Sequence, residues 1–425
     1  MADNTTTTLA ALLYELHGAM SELFGSDHPF SSEISGIGDP TRVGRYTRQM
    51  DANRDVYSGS NIRFPLIPYG MQSGGFTSST GTWNVPSSMT TAQATATLGR
   101  AIVPFSITVD AERDSMANSE IEAVTLLVDQ CEKALAKLEE IAFLGDGTGL
   151  LATITDSATS LNTTVATTSN WDILLPGNIF DVLTRSSGAD PGQGLRRQIA
   201  SVVESTGVIT WSTTATASDG GSGNIVHAST EGIYLPGSYG NVIQGLAQAA
   251  AVTGTFEGIN KANFPYWQGT DGRNGTTTTV ALSNNMLDAG VRRGRRWGLG
   301  VWDYGIGDPA VIDLWKQGLY AQLRYDPQVS TLKGGFQGAT YEGADRPFPL
   351  IKAPYHAKGA LELVRNDFMQ LYGDKKGPEF LQDDGAMFRR FTRALPKEAD
   401  LLDRVQLAFK SVNGIVFFNN LDVAS

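Results

Sequence analysis

The sequence contains a single cysteine, Cys131, and this scarcity excludes several kinds of site. One thiol cannot form an internal disulfide, and it cannot supply a metal site built from several cysteines. Cys131 lies on the apolar face of a predicted helix. We therefore expect it to be packed in the interior rather than to act as a reactive nucleophile.

Histidine is also scarce, and the four histidines lie far apart: His17, His28, His227 and His356. None belongs to an HxxxH, HxH or HExxH arrangement, so we expect surface or hydrogen-bonded histidines rather than metal ligands. The sequence has no GxSxG elbow and no GxxxxGK[ST] phosphate loop. It therefore predicts no catalytic, cofactor-binding or metal-binding residues, and no enzyme.

Long apolar runs are missing as well. No run approaches the roughly 20 residues that span a bilayer, and the N-terminus lacks the order of a signal peptide. We expect a soluble protein made in the cytoplasm, without a membrane. The formal net charge of −11 argues against tight nucleic-acid binding, because neutralising phosphates requires Lys and Arg.

The most regular feature that is present is a predicted helix over residues 119–143. Ser119 and Glu122 form a capping box at its start, and Gly145 is suited to end it. Such a helix would be roughly 37 Å long and would need a coiled-coil partner or the back of a β-sheet to cover its apolar face. That face consists of Ile121, Val124, Val128, Cys131, Leu135, Leu138 and Ala142.

The chain before this helix is predicted to be mostly extended. A short amphipathic helix over 9–23 precedes an extended arm over 26–60, and a short strand over 62–68 is broken by Pro65. Residues 69–98 carry almost no charge and few large apolar groups, so they cannot build a core of their own. They form either a flexible insertion or a two-stranded loop ordered on another subunit. Residues 101–109 alternate in the pattern of a strand with one buried face.

The chain after the helix is predicted to be mostly β, and its 47 glycines indicate many turns. Residues 171–250 resemble an inserted small antiparallel sandwich or barrel. A helix begins after the N-cap residue Ser283 and runs to Trp297, and a buried strand leads into another helix that ends near Tyr325. The alternation of Val405, Leu407 and Phe409 predicts a strand, and an Asn413-Gly414 turn then precedes a β return.

Four polar motifs are candidate sites. The GDGTG run at Gly145–Gly149 follows a helix and so offers carbonyls rather than N–H donors, which favours a turn over a phosphate site. GIGDPA at Gly305–Ala310 is predicted to be a tight turn before a helix. The acidic cluster of Glu379, Asp383 and Asp384 favours a solvated face over a cation site.

The fourth motif is the basic run of Arg292, Arg293, Arg295 and Arg296. Pairing with carboxylates of an adjoining subunit and a solvated helix face both remain open. Contacts with nucleic-acid phosphates come behind both, because the whole chain is acidic.

Taken in order, these segments resemble the major capsid proteins of tailed bacteriophages, which have the HK97-type fold. The arm, the Ser/Thr/Gly-rich loop, the alternating strand and the long helix follow in the order of that family. The helix ends in FLGDGTGL, a turn common in the family, and GLAQAAAVTGTFEGINKANFPYWQG at 245–269 and the closing GIVFFNNL are also similar. The resemblance extends from about residue 30 onward, and the order of the motifs makes it specific.

The resemblance implies an α+β HK97-like capsid fold divided into seven parts. In chain order these are an N-terminal arm (1–60), an extended β loop (61–109), the spine helix and peripheral domain (110–170), an inserted β-barrel-like domain (171–250), an axial domain (251–335), peripheral-domain strands (336–412) and a C-terminal segment that returns to the axial domain (413–425).

The resemblance also implies a mechanical function. Copies would form hexamers and pentamers of an icosahedral shell that encloses double-stranded DNA without sequence-specific binding, in a virion assembled in the host cytoplasm. Portal, scaffold or decoration proteins are the implied partners, and no cofactor is implied. No long charged helical segment precedes the arm, so either a separate scaffold protein guides assembly or the sequence is the mature form; Met1 favours the former.

Three other interpretations compete with this one. An encapsulin compartment would have the same fold around cargo enzymes, and the long loop and the inserted domain favour the viral shell. A secreted Thr-rich β adhesin conflicts with the missing signal sequence and the long capped helix. A hydrolase with an unrecognised site would be a monomer that turns over a substrate.

Overall fold

A computed structural model describes residues 54–59, 61–69, 90–108, 123–166, 169–213, 223–296, 301–320, 329–331, 337–341, 347–375, 377–381, 389–390 and 396–423. The predicted helix over 9–23, most of the arm and residues 70–89 of the loop lie outside these ranges. So do His17, His28, Asp383 and Asp384. No helix among the described residues is long and apolar enough to cross a bilayer.

The described residues form the following helices and strands. The helices are α1 (Ala123–Leu144), α2 (Leu246–Ala250), α3 (Asn284–Arg295) and α4 (Pro309–Tyr320). The strands are β1 (Asp55–Val56), β2 (Asn61–Tyr69), β3 (Thr90–Thr97), β4 (Gly99–Thr108), β5 (Leu150–Thr153), β6 (Ala158–Ser160), β7 (Asn162–Thr164), β8 (Ile179–Thr184), β9 (Arg197–Val203), β10 (Val208–Trp211), β11 (Ile225–His227), β12 (Glu231–Tyr234), β13 (Thr255–Phe256), β14 (Ile259–Asn260), β15 (Thr270–Asp271), β16 (Tyr304–Gly307), β17 (Val329–Thr331), β18 (Gln337–Tyr341), β19 (Phe348–Lys352), β20 (Leu361–Val364), β21 (Met369–Gly373), β22 (Glu379–Phe380), β23 (Arg389–Arg390), β24 (Pro396–Phe409) and β25 (Val416–Phe418).

The longest strand, β24, organises a sheet that we call the long-strand sheet. Its order is β1-β21-β24-β22, and β4 and β23 also pair with β24. The strand predicted from the alternation of Val405, Leu407 and Phe409 is confirmed, and the intervening Gln406 and Ala408 are buried as well. Strand β4 pairs antiparallel with β24 over its whole length, which confirms the strand predicted over 101–109.

Helix α1 lies across this sheet, against β4 and β24. Cys131 and Leu135 form a buried cluster with Leu401 of β24, and Val103 and Phe105 of β4 pack against that cluster. The sequence left open whether a coiled-coil partner or a β-sheet covers this helix. The structure shows that it is the β-sheet.

The buried face of α1 is wider than the predicted apolar stripe. Glu132, Glu139 and Glu140 are buried, whereas the predicted stripe residues Leu138 and Ala142 are only half-buried. The apolar pattern did not predict these three buried carboxylates. The predicted capping box at Ser119 and Glu122 lies outside the described residues.

A second sheet, which we call the mixed sheet, has the order β15-β25-β20-β16-β19-β18-β17. One core on this sheet holds Leu287 and Val291 of α3, Val311 and Ile312 of α4, and Leu361 and Leu363 of β20. The Ser283 side chain accepts a hydrogen bond from Met286 N at 3.3 Å, which confirms the predicted N-cap of α3.

Two sequence predictions about this sheet are wrong. Gly305–Gly307 are part of the fully buried strand β16 rather than a tight turn, and the turn starts only at Asp308, whose Oδ1 accepts from Ala310 N at 3.0 Å. Strand β25 does not pair back on β24 after Asn413-Gly414. It crosses to the mixed sheet, where it pairs with β20 and β15.

The third sheet, which we call the inserted sheet, is antiparallel with the order β5-β12-β8-β9-β10-β7. A bridge between Ile154 and Val165, next to its two edge strands, closes the sheet toward a barrel. Its strands run from Leu150 to Tyr234, so the sheet begins before the predicted start at residue 171 because β5 and β7 belong to it.

The predicted loop begins as a hairpin. Strands β2 and β3 pair antiparallel, and Pro65 in the middle of β2 lies opposite Gln93 of β3. The prediction that Pro65 breaks this strand is therefore wrong. An edge strand tolerates proline because the missing N–H can face away from its partner. The register of the hairpin shifts only between Leu66 and Tyr69.

Candidate intersubunit surfaces and buried ion pairs

The end of the arm is fixed to its own subunit. Strand β1 pairs in parallel with β21, and Tyr57 N donates to Gly373 O at 2.8 Å. Arg54 Nη1 and Nη2 each donate to a carboxylate oxygen of Asp403 at 2.8 Å, and both side chains are 1% exposed. A buried bidentate ion pair of this geometry fixes the direction in which the chain leaves the sheet.

The root of the loop also packs on its own subunit. Ile62, Ala94 and Ala96 turn their side chains to the core, whereas Asn61 and Gln93 are exposed. Thr95 N donates to Glu257 O at 2.7 Å, which ties β3 to the β13–β14 hairpin. The expectation that residues 69–98 are either flexible or ordered only on another subunit is therefore wrong for residues 90–97, because their alanines pack on the core of the same chain.

A buried glutamate and lysine lie beneath this loop root. Glu257 Oε1 accepts from Phe409 N at 2.8 Å, at the end of β24. Lys261 Nζ donates to three carbonyls at the end of α2, those of Gln248 at 2.6 Å, Ala249 at 2.8 Å and Ala251 at 2.5 Å. Neither residue was predicted as a site, because the stretch 245–269 that contains both entered the sequence analysis only as part of the family resemblance.

Desolvation dominates the ionisation of this pair. Burial raises the pKa of Glu257 to about 8, and the hydrogen bond from Phe409 and the charge of Lys261 oppose that rise. Burial lowers the pKa of Lys261 to about 8, opposed by the charge of Glu257. The pair sits where loop root, β24 and α2 meet, so its charge state bears on how these elements hold together.

Beside α1 runs an open groove with a cavity of about 300 Å³. Its walls come from α1, the start of β4 and the segment 235–243 that leaves the inserted sheet. Ile102, which is 44% exposed, contributes an apolar side chain to the mouth of the groove. This concave face is one surface that another molecule could cover.

Cys131 is buried on α1, as the sequence predicted. Burial raises the pKa of its thiol to about 12, and the neighbouring carboxylate of Glu132 adds to the rise. A thiolate is the reactive form of cysteine, so this side chain is not suited to nucleophilic chemistry.

The two described histidines are buried and hydrogen-bonded. His227 Nε2 lies 3.3 Å from Asp156 Oδ1, and its Nδ1 lies 3.2 Å from Ile225 O. His356 pairs through Nε2 with Glu362, and its Nδ1 lies 3.1 Å from Ala357 O. The expectation of hydrogen-bonded rather than metal-binding histidines fits both. In the part of the chain that the structure describes, no group of three or more His, Cys, Asp or Glu could hold a metal ion.

Of the four arginines in the basic run, Arg293 is hydrogen-bonded to the backbone of another segment, whereas Arg292 and Arg296 are exposed. Arg293 is half-buried and donates to Gly272 O at 2.6 Å, which joins α3 to the chain after β15. Arg292 and Arg296 are exposed at the end of α3, although Arg292 Nε also donates to Asp288 O at 3.3 Å. The solvated-face interpretation therefore suits two of the four arginines, and pairing with another subunit stays a prediction for them.

The other two motifs are local. In the GDGTG run, Asp146 Oδ1 accepts from Thr148 N at 2.9 Å and from its hydroxyl at 2.6 Å, and Gly147 and Gly149 have positive φ, as expected for a turn. Glu379, the one described member of the acidic cluster, pairs with Lys375. The turn and the ion pair are both formed within the chain.

Solved structures match this chain, whereas comparisons of its sequence find no match. No protein-family model and no curated protein matches the chain. A chain of the cyanophage A-1(L) capsid asymmetric unit matches with a TM-score of 0.57 at 12% identity, covering 96% of both chains. This chain has the HK97-type capsid fold.

Two further solved structures align with lower TM-scores. A chain of the holo-SrpI encapsulin complex from Synechococcus elongatus PCC 7942 has a TM-score of 0.48 at 9% identity, covering 98% of this chain and 96% of that one. The capsid of a native GTA particle has a TM-score of 0.45 at 10% identity, covering 96% of this chain and 94% of that one. The match to the cyanophage capsid chain confirms the α+β fold of HK97 type predicted from the sequence, and the seven domain bounds stay a prediction.

Proposed function

We propose that this chain is the major capsid protein of a tailed bacteriophage and that it has no enzymatic activity. Its copies would assemble as hexamers and pentamers into an icosahedral shell around double-stranded DNA. The observation that carries the proposal is the HK97-type fold, which a phage capsid chain shares over 96% of its length.

The loop supplies physical support for contacts between copies. Residues 70–89 connect β2 to β3 and contain no charged side chain, yet they include Phe76 and Trp83. Aromatic residues are enriched and charged residues depleted at the centres of protein interfaces. A neighbouring copy would cover this segment, while the root of the hairpin stays anchored beside Glu257.

The net charge of the chain fits a shell whose wall does not adsorb the DNA that it encloses. A net charge of −11 repels phosphates, so packaged DNA would remain free to move during filling and release. Portal, scaffold or decoration proteins are the partners that such a shell would need. It would be assembled in the host cytoplasm and found in the virion, and the exposed Arg292 and Arg296 would be available to pair with carboxylates of a neighbour.

Expression of the full chain alone tests assembly. Sedimentation and electron microscopy should show closed or aberrant shells or rings of capsomers. Replacing both loop aromatics (F76S with W83S) should abolish particles while the thermal unfolding of the protomer is unchanged. A matched control, V203S, removes an apolar side chain that is 48% exposed on the inserted sheet and should still assemble.

The molecules found inside the particles distinguish a viral shell from an encapsulin compartment. Co-expression with a phage portal and packaging motor should give particles that hold nuclease-protected double-stranded DNA. Particles that instead retain a specific protein cargo would support the encapsulin alternative. A lone protomer that turns over a substrate would contradict both.

A further inference from the structure

The loop between β19 and β20, residues 353–360, holds a histidine in the interior. His356 is 3% exposed, and its partner Glu362 on β20 is also 3% exposed. The loop backbone is fixed to the start of α4, because Gly359 N donates to Asp308 Oδ2 at 2.8 Å and Ala353 N donates to Gly307 O at 3.0 Å. Such a pair has no bulk water to exchange hydrogen bonds with.

The hydrogen-bond partners of the ring indicate how many protons it carries. Nδ1 lies 3.1 Å from Ala357 O, and a carbonyl can only accept, so Nδ1 bears a hydrogen. Nε2 faces a carboxylate oxygen of Glu362. A bare lone pair on Nε2 would repel that oxygen, so a second proton is needed between them. The pair thus holds one proton more than a neutral imidazole beside a carboxylate.

The surrounding charges favour this extra proton. Burial by itself lowers the pKa of His356, but Glu362, the Ala357 carbonyl and Asp308 together raise it above the usual 6.5. On the side of the inserted sheet lies Asp172, which interacts with Asp308, with Glu204, with Lys137 of α1 and with Lys358 of the loop itself. Acidic groups therefore lie on both β20 and the start of α4.

The same loop is the place where three parts of the chain meet. Asn170, on the way into β8 of the inserted sheet, donates through Nδ2 to Pro354 O and to His356 O, both at 2.7 Å. Its Oδ1 accepts from Asp172 N at 2.9 Å. Lys137 of α1 lies 5.3 Å from the centre of the Tyr355 ring. The loop must keep its shape for Asn170 to reach both carbonyls.

We propose that the buried His356–Glu362 pair is a proton-dependent latch that holds loop 353–360 in the shape by which the inserted sheet and α1 are fastened to the mixed sheet. Loss of the shared proton leaves a buried carboxylate facing a ring nitrogen that cannot donate to it. The loop then opens to hydrate Glu362, and Asn170 loses both acceptors. This latch is independent of whether the chain forms a shell.

The direction of the pH effect follows from the shared proton. Because the closed loop binds a proton that the open loop releases, opening becomes about tenfold more favourable per pH unit from about 6.5 up to the raised pKa of His356. Below that window the latch contributes fully. Above it the contribution is lost.

Hydrogen exchange of the full chain between pH 6 and pH 9, corrected for the intrinsic pH dependence of amide exchange, tests the proposal. Protection in peptides covering 353–360 and 169–176 should fall about tenfold per pH unit through the window. In E362Q the side-chain amide can donate to a neutral ring, so the latch should stay closed and the pH dependence should vanish. H227Q, which alters the buried histidine of β11, should leave the dependence unchanged.

H356Q provides a second variant if E362Q does not fold. It removes the titrating ring, so the pH dependence of both peptides should be absent. Protection that does not vary with pH in the unmodified chain would overturn the proposal. So would a pH dependence that persists in E362Q or H356Q, or one that disappears in H227Q.

Discussion

Arg54 and Asp403 lie 349 positions apart in the chain, yet both guanidinium Nη atoms lie 2.8 Å from the carboxylate oxygens, with each side chain 1% exposed. Arg54 opens the described part of the chain, and Asp403 lies in the middle of β24. The pair therefore joins the end of the arm to the strand on which α1 rests.

Breaking this ion pair should destabilise the protein strongly. R54M leaves the Asp403 carboxylate buried without its partner, so the free energy of unfolding should fall by about 3–5 kcal/mol, as measured by denaturant titration. The double variant R54M/D403L should recover much of the loss, since apolar side chains can fill the site. R365M, which breaks the exposed pair of Arg365 with Asp367, should change stability by less than about 1 kcal/mol. Equal losses in R54M and R365M would contradict the assignment.

Glu257 should make stability depend on pH. The folded chain keeps a proton on Glu257 up to a pKa of about 8, whereas the unfolded chain loses it near the usual 4.5. The contribution of this group is therefore complete below about pH 4.5 and is lost as the pH rises to about 8. E257Q removes the titration but keeps an oxygen for Phe409 N, so denaturation midpoints should decline less over that range than in the unmodified chain. E204Q, at an exposed glutamate, serves as the control.

Cys131 should resist alkylation in the folded protein. Its thiol is buried and its pKa is raised to about 12, so iodoacetamide at pH 8 should modify it only after denaturant is added. The matched control is C131S with A134C, which moves the thiol to an exposed position one turn along the same helix. That variant should react at the rate of a free thiol. Rapid labelling of native Cys131 would show that α1 does not rest on its sheet as described.

Gly245 should be intolerant of any side chain. A Cβ there would lie 2.4–2.6 Å from the carbonyl oxygens of Ala142, Phe143 and Gly145, the last turn of α1 and its end. G245A should therefore lower the free energy of unfolding by several kcal/mol, roughly the range of other severe backbone clashes. G318A is the control: this glycine is exposed in α4 with open space around it, and alanine there should be neutral or stabilising by up to about 1 kcal/mol.

Elements with a clear period were predictable from the sequence. Apolar steps of three and four placed α1, and alternation placed β4 and β24, because each element buries one face. Ser283 marked the start of α3 through its cap. Local spacing cannot say which sheet a strand joins. The Asn413-Gly414 turn alone therefore did not indicate that β25 crosses to the mixed sheet, although the resemblance implied a return to the axial domain, and the start of the inserted sheet at β5 was missed.

The buried ionic groups were not predicted, although one signal existed. Asp403 occupies an inward position of β24, between the buried residues Leu401 and Val405, so its parity alone indicated a buried carboxylate that needs a partner. The identity of that partner depends on tertiary contact. For His356 and Glu362 no spacing rule applies, since the loop that brings them together is irregular.

Electron microscopy of the purified full-length chain, supported by sedimentation velocity, tests the central claim most directly. The account predicts closed shells, aberrant shells or rings of five and six copies. A chain that remains a single, fully folded protomer at high concentration, with Phe76 and Trp83 replaceable without effect on its association state, would contradict it.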